Sequence, residues 1–318
     1  MNNLTSDLKT IQEETLLNLR SSRAANTIRA YKSDFHDFGL FCVKNNFKTL
    51  PTDPKIVSLY LTYLATNNIK ITTIKRRLVS IGVVHKIKGH YLDTKHPSII
   101  ENLMGIKRRK GINQKGKKPL LVNDLKKIIN VIDKENISEL KIVRDRSVIL
   151  LGFGGGFRRN ELVSLNKEDL DFVNKGLKIV IKRSKTDQYG EGTLKALPYF
   201  DNDKYCPVKS IKKWIEISNI KTGPLFRKFY KGMKLSNNRL SDQSVALLIK
   251  EYLNKAGIDN TNYSGHSLRS GFATSAAEAG AEERSIMNMT GHKSTEMVRR
   301  YIKEANLFKN NALSKIKL

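Results

Sequence analysis

The sequence predicts a mainly α-helical chain with one small β-sheet, divided into two domains. Three observations carry that prediction. Apolar residues recur at spacings of three and four through residues 27–109 and again through most of 119–302, the period of helices with one buried face. Alternation of apolar and polar residues is confined to the neighbourhood of 177–197, the signature of a strand pair. Between the two helical stretches lies a run of seven basic residues in twelve, Lys107 to Lys118, with no acid among them. A chain of 318 residues is also long for one core and suits two.

Residues 1–22 are polar with scattered leucines and read as an N-terminal extension. From Thr27, the side chains of Ile28, Tyr31, Phe35, Phe38 and Cys42 share one helical face, which marks the aromatics as core rather than as exposed stacking platforms. Asp53 as N-cap and Pro54 at the first helical position announce a second helix, with Val57, Leu59, Tyr60, Leu61 and Leu64. A third, capped by Thr72 or Thr73, runs to Lys88 and stops at Gly89; a fourth spans Ser98 to Arg109. With no strand signal, residues 23–106 form a small all-α domain. Glycine, asparagine and mutually repelling charge make 107–118 an extended linker, and Pro119 opens the second domain, 119–318.

In that domain Asn123 caps a helix through Ile132, and Glu139 to Phe153 forms a buried helix broken by Gly154-Gly155-Gly156. Arg158 then starts the next helix, where its guanidinium lies near free main-chain N–H groups, a favourable place for an anion; Arg159 is the rival for that role. Leu177–Ile181 pairs with Thr193–Leu197 across the turn residues 187–192, whereas Lys228 to Asn238 reads as a loop. Helices follow from Pro207, with Trp214 as a core residue, over Ser241 to Ala256, over Leu268 to Ala279 with Gly280 as the stop, and over Ser294 to Ile302.

Charge narrows the partner. The 58 lysines and arginines against 30 acids leave a formal +28 and a pI near 10.0, a self-repelling excess that a polyanion would neutralise. Nucleic acid fits better than an acidic membrane surface, because neither a lipidation motif nor a basic amphipathic anchor stands out. On this reading Lys75, Arg76 and Arg77 of the third helix, with Lys107, Arg108, Arg109 and Lys110, track phosphates. A hydrophobic share of 39% excludes wholesale disorder. Cys42 and Cys206 lack zinc-site spacing and read as buried, reduced thiols. Met1 to Glu14 carries no signal segment and no apolar run approaches a membrane span, so a cytoplasmic protein is expected.

The chemistry-bearing residues gather near the C-terminus: Gly265-His266-Ser267-Leu268-Arg269, Thr290-Gly291-His292 and Arg299-Arg300-Tyr301. A tyrosine hydroxyl attacks only when a base takes its proton and positive charge activates the electrophile. A phosphodiester is such an electrophile, and arginine forks match its non-bridging oxygens. The set therefore reads as tyrosine attack on phosphate, with His266 or His292 handling protons or bonding the phosphate and Arg269 neutralising charge.

This block resembles the second conserved box of the tyrosine recombinases (phage integrase family): His-x-x-Arg, then Gly-His, then Tyr nine residues beyond that histidine. All of it is present, as His266 to Arg269, Gly291-His292 and Tyr301. The family's first box, Gly-[Leu/Phe]-Arg-x-x-Glu-Leu, stands here as Gly156-Phe157-Arg158-Arg159-Asn160-Glu161-Leu162, a register that favours Arg158 over Arg159. Its hairpin lysine best matches Lys185, in Arg183-Ser184-Lys185-Thr186. The resemblance covers roughly residues 20–318.

The resemblance implies a SAM-like helical core-binding domain and an α+β catalytic domain of the DNA breaking-rejoining fold, closed as a C-shaped clamp on duplex DNA. It implies that Tyr301 forms a 3′-phosphotyrosyl link, that Arg158 and Arg269 hold the non-bridging oxygens, and that Lys185 protonates the departing 5′-oxygen. His266 would accept the tyrosine proton, His292 would hydrogen-bond the phosphate, and Glu161 would support the site. No cofactor is expected, since neither a carboxylate cluster for Mg²⁺ nor a phosphate-binding loop is recognisable. The implied partners are duplex DNA at a specific site and a homotetramer, or a paralogous recombinase; the tail after Tyr301 folds on its own domain or docks on a neighbour. The short N-terminal extension favours a simple integrase of a mobile element or a Xer-like resolver. Rival readings are a type IB topoisomerase and a catalytically silent DNA-binding protein.

Overall fold

The computed structural model describes residues 23–111, 116–182, 187 and 191–306, with a few single positions towards either end. Contacts divide the chain into two units, Met1–Lys115 and Gly116–Leu318. In the first unit, α1 (Ala25–Lys44), α2 (Pro54–Thr66), α3 (Ile71–Ile87) and α4 (Pro97–Lys110) each bury one face. Phe38 and Cys42 meet Val57, Tyr60, Leu61 and Leu64, and these meet Ile74, Ile81, Ile99, Leu103 and Ile106 in one core. The Phe38 and Tyr60 rings cross edge to face with centroids 5.1 Å apart, a favourable arrangement for aromatic quadrupoles.

Capping in this unit is partly as anticipated. The Asp53 carboxylate accepts the Lys55 main-chain N–H at 2.7 Å, a bond worth about 1 kcal/mol to the helix. Helix α3, however, begins at Ile71, ahead of both threonines expected to cap it, and its N-cap Lys70 makes no side-chain cap. The buried Ile71 side chain gains more from joining the core than a threonine cap would contribute.

A polar seam crosses the same unit. Asp34, only 3% exposed, accepts Arg76 Nη1 at 2.5 Å and Ser80 Oγ at 2.7 Å. Arg77 Nη1 donates to Asp37 Oδ2 and to the Tyr60 hydroxyl, which itself donates to Asp37 at 2.6 Å. Arg76 and Arg77, expected to lie along phosphates, are thus engaged by carboxylates of α1. Lys75 is exposed and stands close enough to Lys107 to hold the Lys107 ammonium below its ordinary range.

The stretch 107–118 is not the uniform extended linker that its charge suggests. Lys107 to Lys110 complete the last turn of α4, where cations complement the negative helix end, and Gly111 ends it at φ 70°. At the far side, Lys118 N–H donates to Asn262 O at 2.7 Å and Leu120 N–H to Ser267 O at 2.9 Å, so this end is held by the second unit. Residues 112–115 lie outside the described residues.

The second unit runs α5 (Val122–Asp133), α6 (Glu139–Gly154), α7 (Arg159–Ser164), β1 (Leu170–Val173), β2 (Gly176–Ile181), β3 (Thr193–Pro198), α8 (Pro207–Ser218), β4 (Arg227–Phe229), β5 (Leu235–Arg239), α9 (Asp242–Lys255), α10 (Ser267–Glu278), α11 (Glu283–Thr290) and α12 (Thr295–Ala305). Helix α5 starts at Val122 with Leu121 as an uncapped N-cap residue, so Asn123 does not cap it; burial of Leu120 sets the entry. Helix α6 is buried nearly all round, through Val143, Val148, Ile149 and Leu151. Trp214 on α8 is fully buried, and its indole N–H donates to Leu225 O at 2.8 Å. Cys42 and Cys206 are both buried and free.

The three strands form an antiparallel meander, with Leu170 opposite Ile179 and Ile179 opposite Lys195. Leu177, Ile179, Ile181 and Leu197 face the core. Strand β1 and the hairpin β4–β5 were not anticipated. The first is four residues long, too short for alternation to register. The second replaces the expected loop and is pinned by Arg239, whose guanidinium donates to Val163 O, Leu165 O and Asn166 Oδ1.

Candidate active site

Three separated segments converge in the second unit. After α6 the chain passes through Gly155 and Gly156, and Gly156 sits at φ 54°, a conformation that side chains disfavour. This tight passage turns Phe157 inward and leaves Arg158 as the N-cap residue of α7. The Arg158 side chain lies over the start of that helix, against the main chain of Glu161. Its Nη1 donates to Glu161 Oε1 at 2.5 Å and its Nη2 to Gly291 O at 3.1 Å. Glu161 Oε2 also accepts the Arg158 main-chain N–H at 2.9 Å, so a buried carboxylate supports the arginine. Arg159 goes elsewhere, its guanidinium 3.7 Å from Asp242.

Helix α10 brings His266 and Arg269, which are three residues apart and therefore neighbours at the start of one helix. His266 is the exposed N-cap residue, and its main-chain N–H donates to Ser264 Oγ at 3.2 Å. Arg269 points inward and is 1% exposed. Its Nη1 donates to Gly156 O at 3.0 Å, while Nε and Nη2 are buried with no hydrogen-bond partner among the described residues.

The third segment begins where α11 ends at Gly291, in the left-handed conformation at φ 62°. That turn folds His292 back under the helix. Thr290 Oγ1 donates to Ile286 O at 2.6 Å, so it meets His292 Nδ1, 2.7 Å away, as an acceptor. The imidazole thus carries its proton on Nδ1 and leaves Nε2 unprotonated. Helix α12 then carries Tyr301, half-buried, with its ring centroid 6.0 Å from that of His292. This helix is held by a small satellite cluster of Ala273, Ala277, Ile286 and Val298 rather than by the main core.

A fourth side chain joins them from β3. Lys195 is 4% exposed; its Nζ donates to Gly155 O at 2.6 Å and to Met289 O, and lies 4.6 Å from the Phe157 ring centroid. Sequence reasoning passed over it, although period two was sufficient to find it. With Leu177, Ile179 and Ile181 facing the core, the antiparallel partner residues Leu197 and Lys195 must face it too. Lys185, by contrast, lies outside the described residues.

Electrostatics follow from this crowding. Burial, reinforced by Arg158 and opposed by Glu161 and Tyr301, lowers Arg269 to about 10. Burial also lowers Lys195 to about 8, with Glu161 opposing and Arg269 and Arg158 adding to the effect. His292 falls to about 4, through burial and the surrounding charges of Arg269, Arg158, His266 and Lys195. Three cations, one neutral histidine and one supporting carboxylate make an environment that favours a dianionic or monoanionic ligand over none. Lys75, Arg76, Arg77, Lys107, Arg108, Arg109 and Lys110 all belong to the first unit.

Comparison with known proteins gives the family. Residues 118–307 match the model of the phage integrase family. The chain is 40% identical over 301 residues to an integrase/recombinase XerD homolog of Selenomonas ruminantium, covering 94% of this chain and 87% of that one. It is 26% identical over 287 residues to the tyrosine recombinase XerC of Leptospira interrogans, covering 90% and 85%. Among solved structures, XerH recombinase bound to palindromic difH after cleavage superposes with a TM-score of 0.60 at 23% identity, over 82% of this chain and 73% of that one. The Tn1549 transposon integrase with circular-intermediate DNA gives a TM-score of 0.60 at 14% identity, over 91% and 92%; both likenesses establish the shared fold. The protein is therefore an enzyme of DNA strand cleavage and rejoining. The chain belongs to the phage integrase family of tyrosine recombinases.

Proposed function

We propose that this chain is a site-specific recombinase in which Tyr301 cleaves a DNA strand and Arg158, Arg269 and His292 form the seat of the scissile phosphate. The observation that carries the proposal is Arg269. A guanidinium buried with two nitrogens unpaired costs free energy unless a strong acceptor meets it, and phosphate oxygens match its fork. Arg158 lies close enough to act on its charge, and is held by Glu161 and by Gly291 O.

In the reaction, the Tyr301 hydroxyl oxygen attacks phosphorus and gives its proton to His266, at the exposed start of α10. The bond from phosphorus to the 5′-oxygen breaks, and Lys185 supplies the proton that makes it a 5′-hydroxyl. Phosphorus stays bonded to the tyrosine and to the 3′-oxygen, and attack by a 5′-hydroxyl of another strand reverses the step without ATP. Two fixed cations aimed at the transition-state oxygens contribute several kcal/mol. His292 Nε2 becomes a donor when the arriving phosphate raises its proton affinity. The small cluster under α12 allows the tyrosine helix to shift without disturbing the main core. The remaining parts of the reading are a homotetramer or a pair with a paralogous recombinase, phosphate contacts from Lys75, Arg76, Arg77, Lys107, Arg108, Arg109 and Lys110, and a cytoplasmic location. No helix among the described residues is long and apolar enough to cross a membrane.

The test is a nicked duplex carrying a candidate site, incubated with the protein and run on a denaturing gel. A protein–DNA adduct that is lost in Tyr301→Phe while DNA affinity is kept supports the reading. An adduct that persists in Tyr301→Phe assigns the nucleophile to another residue.

A further inference from the structure

Two helix C-termini meet at one lysine. Gly155 is the C-cap residue of α6, and Met289 lies in the last turn of α11; both contribute carbonyls at the negative end of a helix. Lys195 Nζ donates to both, and these two carbonyls stand at equivalent places in the site. Arg158 is three residues beyond Gly155, and His292 is three residues beyond Met289.

We propose that Lys195 is a positioning residue for strand cleavage: by tying the two helix ends together it sets Arg158 against His292, and its charge belongs to the field that receives the phosphate. The inference rests on the phosphotyrosyl reading above. A structural role alone accounts poorly for the residue. The inner face of β3 otherwise carries Leu197, and the Lys195 chain lies against Phe157, so an apolar side chain of the same length would fill the space without burying a charge. Instead the ammonium is kept beside Arg158 and Arg269, with Glu161 of α7 and His292 as the other titratable groups in its surroundings. Like charges gathered at such cost are relieved when an anion arrives, and the free protein already holds Lys195 down to about 8.

The experiment compares wild type, Lys195→Met and Lys195→Arg on the nicked duplex, in single turnover with saturating DNA. Misplacement of Arg158 against His292 slows adduct formation in Lys195→Met about a hundredfold. Its DNA affinity stays within about threefold, because phosphate contacts elsewhere carry binding. Lys195→Arg recovers most of the rate. Binding heats measured near pH 8 in buffers of different ionisation enthalpy give a second readout. Wild type takes up part of a proton as phosphate favours the charged lysine, and Lys195→Arg, which is charged throughout, takes up less. Lys195→Met cleaving at the wild-type rate, or losing cleavage only in proportion to DNA affinity, overturns the inference. If Lys195→Met does not fold, equal proton uptake by wild type and Lys195→Arg overturns it. Absence of any Tyr301-dependent adduct from wild type overturns the phosphotyrosyl reading, and this inference with it.

Discussion

Arg158 and Glu161 are joined twice within one helical turn, through the arginine's main-chain N–H at 2.9 Å and its Nη1 at 2.5 Å. Glu161 also opposes the burial effect at both Arg269 and Lys195, so one carboxylate offsets the repulsion of three cations. Glu161→Ala should therefore cost about 3–5 kcal/mol of stability, as removal of one partner of a buried ion pair does. Thermal melts in dilute chloride check this. Added sulfate should recover more of the loss than chloride at equal ionic strength, because it can lie between the cations.

Arg269 presents the opposite case. If its burial serves the phosphate rather than the fold, as proposed, Arg269→Met should melt at or above the wild-type temperature while adduct formation falls by about 10²–10³. A variant that melts well below wild type would show that the bond to Gly156 O outweighs the buried charge.

Acid should weaken the second unit through His292. The folded value of about 4 lies below the ordinary histidine value near 6.5, so between them the unfolded chain binds a proton that the folded chain does not. Stability is then full above about pH 6.5 and falls as pH drops towards 4, with a slope of at most about 1.4 kcal/mol per pH unit from this group. Melts of wild type and His292→Gln across that range should diverge, the variant being the less acid-sensitive; parallel curves would contradict a buried neutral imidazole. His85, also buried and held below its usual range by desolvation, acts in the same direction in the first unit.

In the helical unit, Arg77 and Lys75 should separate stability from binding. Arg77→Ala removes a partner of Asp37 and Tyr60 and should destabilise by about 1–3 kcal/mol. Lys75→Ala should leave the melting temperature unchanged and reduce the salt dependence of DNA binding by about one phosphate contact. Equal melting losses in the two variants would mean that Lys75 too is structural.

The sequence by itself determined the periodic elements and the chemical set. Helical spacing located Phe38, Tyr60 and Trp214 in cores; the interval from His266 to Arg269 belongs to one helix start, and that from His292 to Tyr301 to the turn after Gly291 and the first two turns of α12, all local. Short strands such as β1, and the hairpin β4–β5, carry too few alternations to be read locally, and helix starts shift when a buried Ile71 or Leu120 outweighs a cap. Only the tertiary structure decided which charges are used and where. Arg77 is taken up by acids of another helix, Lys107 to Lys110 close a helix instead of opening a linker, and Lys195 lies buried between two helix ends rather than in solvent. A charged side chain's environment depends on partners distant in sequence, and its residue type and spacing do not encode them; here the distance from Lys195 to Met289 along the chain is 94 residues.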